Sequence, residues 1–142
     1  TTTVVPDCVN NQFSVAVNVT ALGSGSPVLT DGTSTWPVTA IGTVTVGPFT
    51  SGSSVMLTLQ HGSDVTCDIP LGAFNYVCPP SNENCGTPTV LTVNPDYSCA
   101  VVSPGTVIGA TDSGLTNSTC FGTEDDDVWY SFVATSTTHR IS

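Results

Sequence analysis

The sequence predicts an all-β protein made of two antiparallel β-modules in tandem, the second incomplete, and three observations carry that expectation. Apolar and polar residues alternate with period two, most strictly in QFSVAVNVT, where Phe13, Val15, Val17 and Val19 share one face while Ser14, Ala16 and Asn18 share the other. No window sustains the i, i+3, i+4 spacing of an amphipathic helix for three turns. The chain is 39% hydrophobic but only 8% charged, and Val, Thr, Ser, Gly and Pro dominate, which suits pleated strands joined by tight turns better than a disordered acidic tail.

Taken in order, QFSVAVNVT is a half-buried strand and ALGSGSP is the turn that follows it. VTAIGTVTV and SSVMLTLQH repeat the alternation, with Val55, Leu57 and Leu59 pointing inward and GPFTSG as a compact turn between them. DVTCDIPLGAFNYVC is expected to be a closing hairpin with PLG in its bend. PPSNEN at 79–84 separates one strand set from the next, because two prolines and polar turn formers interrupt both periodicities. Residues 1–78 are thus one module, 79–84 a linker and 85–142 a second module. The second offers strands in PTVLTVN, GTVIGATDS and DDVWYSFVA and the beginning of one in THRIS, a thin sheet that needs packing against something more.

Eleven Asp or Glu against one Lys or Arg give a formal net charge of -10, which repels phosphate backbones and anionic membrane surfaces and argues against nucleic-acid binding. No apolar run approaches membrane-spanning length, so membrane insertion is not expected. The opening TTTVVPDC has no basic stretch followed by an apolar one, so the chain is expected to be a processed product or an excerpt of something longer. Cys8, Cys67, Cys78, Cys85, Cys99 and Cys120 show no C-x-x-C spacing, and only His61 and His139 are available as nitrogen ligands. Disulfides fit better than zinc, and they place the protein outside the cytoplasm. Each module holds an odd number of cysteines, so either a bridge crosses the boundary or a partner lies elsewhere, and fifteen connectivities are open. A Cys99 to Cys120 bridge is weakly favoured, since both flank the TVIGATDS run. With Arg140 as the one basic residue and no Lys, Lys–Asn isopeptide crosslinks are chemically impossible and covalent bracing falls to cysteine.

The segment TVGPFTSGSSVMLTLQHGSDVTCDIPLGAFNYVCPP resembles the C-terminal half of the fibronectin-type-III-like or immunoglobulin-like repeats of large secreted proteins of Bacteroidetes-type bacteria. NENCGTPTVLTVNPDYSCAVVSPGTVIGATDSGLTNSTCFGTEDDDVWYSF is similar to the opening of a bacterial pre-peptidase C-terminal (PPC)-like β-domain, whose hallmark is an acidic run leading into Val-Trp-Tyr-Ser-Phe. The resemblance implies an Ig/fibronectin-III-like antiparallel β-sandwich followed by a PPC-like sandwich. It also implies an adhesin-like or fibre-forming surface protein. PPC-like domains are usually longer, so their later strands would come from beyond this segment or from another subunit. The resemblance supplies no catalytic residue.

Several residue sets invite chemistry. Glu124, Asp125, Asp126 and Asp127 offer hard oxygen ligands for a structural Ca²⁺ ion, but without an EF-hand pattern the favoured reading is a solvated loop whose charge discourages promiscuous strand pairing. Contiguous carboxylates do not span the cleft that glycoside hydrolysis needs. Trp129, Tyr130 and Phe132 suggest a carbohydrate platform. Strand alternation puts Tyr130 and Phe132 on one face and Trp129 on the other, which favours a core role for one face. Trp36, beside Pro37, is either an exposed aromatic or a core plug. His61 with Asp64 and a serine evokes a hydrolase triad, yet no G-x-S-x-G elbow is present and His61 sits in a turn. Asn18 and Asn117 head the sequons NVT and NST, and Asn117 lies in the more polar loop.

The expected function is therefore a non-enzymatic structural subunit of an extracellular fibre or surface array, without an obligatory cofactor and with other copies of itself as its partners. The alternative is a carbohydrate-binding or targeting accessory module of a secreted enzyme. Unpaired strands at both ends suggest that the N-terminal strand of one subunit completes the sheet of the next, with Tyr130 and Phe132 helping to form a groove that receives Val4 or Val5.

Overall fold

The computed structural model of the chain describes residues 1–112, 114 and 126–141. It divides into two compact units, Thr1–Cys78 and Pro79–Ser142. In chain order the first contains β1 (Thr2–Asp7), β2 (Gln12–Val19), β3 (Val28–Thr30), β4 (Thr35–Pro37), β5 (Gly42–Thr50), β6 (Ser54–Gln60) and β7 (Ile69–Asn75), with a single 3-10 turn, Val65–Cys67, before β7. All its pairings are antiparallel, in a three-stranded sheet of order β1-β2-β5 and a four-stranded sheet of order β4-β3-β6-β7.

Both sheets feed one core, the arrangement of a β-sandwich. Phe13, Val15, Val17 and Val19 of β2 and Val46 of β5 cluster with Leu29 of β3 and with Val55 and Leu57 of β6. Phe13, Val15, Leu29, Val46 and Leu57 are 0% exposed. β2 realises the alternation read in its sequence, because a period of two puts every second side chain on the sheet's inner face. Cys8 and Cys78 form a disulfide with Cα atoms 5.4 Å apart, tying the turn after β1 to the segment after β7.

Three local expectations are corrected in this unit. GPFTSG holds the turn only in its last residues, Ser51 and Gly52, because β5 continues through Gly47 and Pro48 to Thr50, and the reversal is closed by Ser53 N–H donating to Thr50 O at 3.1 Å. The register against β2 shifts between Phe13 and Val15. Gly47 adopts φ +127° there, with Ser14 Oγ 3.0 Å and Phe13 O 3.3 Å from where a Cβ would stand. A glycine bulge lets the strand absorb a Gly-Pro pair that in sequence marks its end. PLG behaves the same way. Gly72, at φ +101°, lies within β7 where the register with β6 shifts, and the bend falls instead at 61–68. Third, the N-terminal strand is already paired, with Val4 opposite Val15 and Val5 opposite Ser14. Val4 packs against the core while Val5 is 44% exposed.

The second unit is built differently. Its described strands are β8 (Thr89–Val90) and β9 (Tyr130–Ser131), and they pair in parallel rather than antiparallel. The described parts of GTVIGATDS and THRIS form no strand. Side chains occupy backbone groups that a ladder would need: Asn94 Nδ2 donates to Val101 O and Val101 N–H donates to Asn94 Oδ1, both at 2.7 Å, closing a loop on itself. Residues 79–84 are not a free linker. Asn82 is buried and bonded within this unit, and Thr87 Oγ1 donates to Ser81 O at 3.1 Å.

Candidate functional site

The acidic-to-aromatic segment that drew attention in the sequence is anchored by Asn82. Trp129 N–H donates to Asn82 O at 2.8 Å, and Asn82 Nδ2 donates back to Trp129 O at 2.9 Å. Thr89 N–H donates to that same Trp129 carbonyl at 3.0 Å, and Leu91 N–H donates to Ser131 O at 2.7 Å. An amide side chain thus bonds to the backbone much as a neighbouring strand would, with its donor and a nearby acceptor. Sequence reasoning missed Asn82, since nothing in a Pro-Pro-Ser-Asn run distinguishes a turn asparagine from a buried one.

Next to it, Glu83 Oε1 accepts from the backbone N–H and from the hydroxyl of Thr111. Its second oxygen, Oε2, and the indole Nε1 of Trp129 are buried without a hydrogen-bond partner among the described residues. Of the four expected calcium ligands, Glu124 and Asp125 lie outside the described residues, Asp126 is exposed and Asp127 is half-buried. Among the described residues, no group of three or more His, Cys, Asp or Glu is placed to hold a metal ion.

Tyr130 and Phe132 are each 39% exposed. The Tyr130 hydroxyl presses so closely on Gly105 that a Cβ there would overlap it, and an open hollow of about 450 Å³ lies between Asn82, Thr89, Pro104, Thr106 and Tyr130. Phe132 meets His139 edge-on at 5.4 Å between ring centroids. His139 Nε2 accepts from Thr135 N–H and Ser136 N–H, each at 3.2 Å, so this stretch is a histidine-closed turn.

Trp36 is a core plug. It pairs across β3 with Leu29, meets Phe49 at 6.1 Å in a T-shaped contact and packs against the buried cluster. Trp129 buries its indole nitrogen. The Trp129 indole therefore does not present its polar edge to a sugar, as a stacking platform with a hydrogen-bonding rim would.

His61, Asp64 and Ser63 lie together at the β6–β7 bend, but in the arrangement of a capped turn. Asp64 accepts from Thr66 N–H at 3.0 Å and Thr66 Oγ1 at 2.7 Å as the cap of the 3-10 turn, and these bonds, the hydroxyl's first, hold its carboxyl below the usual range. His61 N–H donates to Asp68 Oδ1 at 2.9 Å, and Ser63 Oγ lies 3.4 Å from His61 Nδ1. A relay would need Asp64 on one ring nitrogen and a serine on the other.

Cys67, Cys85 and Cys99 are exposed free thiols. Cys67 lies 3.8 Å from Asp64 Oδ2. The first unit therefore closes one bridge internally and keeps Cys67 as a spare thiol. Cys99 is free, against the weakly favoured Cys99–Cys120 bridge, whose other end lies outside the described residues. Asn117 lies outside them as well, which leaves Asn18 as the describable sequon, exposed on the outer face of β2. Among the described residues no helix is long and apolar enough to cross a membrane. No protein-family model, curated protein or solved structure matches the chain.

Proposed function

We propose that the chain is a non-enzymatic structural subunit or repeat of an extracellular fibre or surface array, with an Ig/fibronectin-III-like first sandwich and a PPC-like second unit completed by a strand from a neighbouring subunit or repeat. The observation that carries this reading is the exposure of the second unit's own apolar side chains. Val90, Tyr97, Val102, Ile108 and Val133 are 71 to 78% exposed, and the ladder they accompany is two residues long on each strand. A two-stranded ladder of this size is not stable alone in water. An added strand would supply backbone partners for its open edges and cover part of that surface.

The Cys8–Cys78 bridge supports an oxidising, extracellular setting. The acceptor would be the β8–β9 ladder with its hollow beside Tyr130. Donation by β1 would require an exchange in which Val4 and Val5 leave β2 and enter the neighbour, the low-cost route of domain swapping. The alternative, a carbohydrate-binding accessory module, has less support because Trp36 packs on the core.

Negative-stain electron microscopy of native material tests the reading. Filaments or arrays are expected, and monodisperse monomers would overturn it. Intact mass then separates the two sources of the completing strand, since a species near 14.5 kDa means separate subunits and a far larger one means tandem repeats. Deleting residues 1–5 should convert polymers to monomers if β1 is the donor; unchanged assembly assigns the donor elsewhere.

A further inference from the structure

We infer that the outer edge of β5 is a pairing edge for a second copy of this chain, with Gly42–Val46 of each copy aligned antiparallel so that two three-stranded sheets become one. The first unit has four edge strands, and three are blunted. β4 is three residues long and ends in Pro37. β1 contains Pro6 and approaches β7, which itself carries Pro70 and the Gly72 bulge. These are devices by which sheets avoid further pairing. β5 is nine residues long, and its interruption at Gly47 and Pro48 leaves the five residues Gly42–Val46 clear. Among the described residues no strand pairs with its outer side.

Charge decides between a second copy and a partner of opposite sign. A chain with a net charge of -10 resists self-association unless the contact lies away from its carboxylates. Residues 32–60, which contain all of β4, β5 and β6, have no Asp, Glu, Lys, Arg or His. A basic partner would find nothing on β5 to pair with, whereas a second β5 meets an uncharged edge. The sequence is self-complementary there. In a two-fold pairing centred on Val44, Thr43 faces Thr45 of the second copy and Gly42 faces Val46. Thr43 and Thr45 are exposed on the outer face, while Val44 and Val46 stay turned toward their own core. Cross-strand threonine pairs are among the favourable ones. Ile41, 65% exposed just before the strand, adds apolar surface at each end of the contact.

One ladder of this length buries less than a stable dimer needs, so the contact is weak between free chains and strengthens where copies are arrayed. It does not rest on completion of the second unit, which involves other residues.

Sedimentation velocity of the soluble full chain across a concentration series tests it. Wild type should shift from monomer to dimer. The doubles Thr43→Lys/Thr45→Lys and Thr43→Glu/Thr45→Glu should each lose the dimer, because like charges then face one another. Mixing the two should restore it as a heterodimer. These side chains are exposed, and an unchanged melting temperature in each variant confirms that folding is intact. Wild type that stays monomeric throughout, doubles that still dimerise, or a mixture that fails to associate would each overturn the proposal. Filaments built through the second unit would persist in the doubles, so the two failures are distinguishable.

Discussion

The two units are written in the same alphabet of Val, Thr, Ser and Gly, and their described residues differ in how much apolar surface they bury. In the first, Phe13, Val15, Leu29, Val46 and Leu57 vanish from solvent between two sheets. Among the described residues of the second, Ala110 and Asn82 are buried, while Val90, Tyr97, Val102, Ile108 and Val133 remain at the surface. The difference lies in pairing. β2 has neighbours on both edges and buries a whole face, whereas among the described residues β8 and β9 pair with each other for two residues. Alternation makes a segment fit for a sheet, and only neighbouring strands make the sheet.

The comparison breaks most sharply under core truncation. Phe13→Ala empties the centre of the first sandwich and should cost about 3–5 kcal/mol, a large part of a small domain's stability. Phe132→Ala in the second unit should cost less than about 1 kcal/mol, because a part-exposed ring is already hydrated. Each unit carries one tryptophan, Trp36 or Trp129, so urea unfolding followed by fluorescence, with the other tryptophan replaced by Phe, reads the units separately. Equal losses would mean that the second unit holds a core of its own.

Breaking the Cys8–Cys78 bridge sharpens the same contrast. For a sequence separation of 70, the chain-entropy relation gives about 4 kcal/mol. Cys8→Ser/Cys78→Ser should lower the unfolding midpoint reported by Trp36 and leave that reported by Trp129 in place. A midpoint lowered equally at both would tie the two units into one cooperative transition.

Much of the first unit was legible because its strands state their period locally. Phe13, Val15, Val17 and Val19 name their own inner face, as do Val55 and Leu57. What misled was punctuation: Gly47-Pro48 and Gly72 read as turns, and each proved to be a bulge that a paired strand tolerates. Neither the Cys8–Cys78 pairing nor the plugging role of Trp36 has a one-dimensional signal, since both depend on which strands become neighbours. The second unit was less legible for the same reason. Val107 and Ile108 look strand-like, yet they form no strand, Asn94 takes both backbone groups of Val101, and Asn82 anchors Trp129 across 47 residues of sequence.

Asn82→Ala tests that anchoring at smaller scale. Losing the Nδ2 bond to Trp129 O should cost about 1 kcal/mol, with Thr89 N–H still serving that carbonyl. The loss should register in Trp129 fluorescence and not in Trp36 fluorescence. An unchanged midpoint would move the anchor of β9 elsewhere.

Acid should act gently on both units. Asp31 is held below the usual carboxyl range by the backbone N–H groups of Ser34 and Thr33, Asp64 by the hydroxyl and N–H of Thr66, and Asp96 by Ser98. Because each folded-state value lies below the unfolded one, the stabilisation is complete above the ordinary aspartate value of about 3.9 and is lost as pH falls through the lowered values. Midpoints should therefore hold steady from neutral pH to about 4 and decline below it. All three carboxylates are exposed or nearly so, and water screens such bonds. Asp64→Asn should weaken the decline at the Trp36 probe, and a decline unaltered by it would assign the acid response to other carboxylates.

The smallest effect is expected from chelation. A bound calcium ion stabilises the folded form in proportion to the logarithm of its concentration over Kd, so a structural site at Glu124, Asp125, Asp126 and Asp127 would make the Trp129 midpoint fall in EDTA and recover in calcium. If the run is instead a solvated loop, its adjacent carboxylates repel one another, and sodium screens that repulsion as well as calcium does. Raising ionic strength should then stabilise the second unit slightly, and calcium should do no more than magnesium or an equivalent ionic strength of sodium. We expect that salt-like response. A calcium-specific rise confined to the Trp129 probe, and abolished by Asp127→Asn, would reverse the assignment and make a bound ion part of what stabilises the second unit.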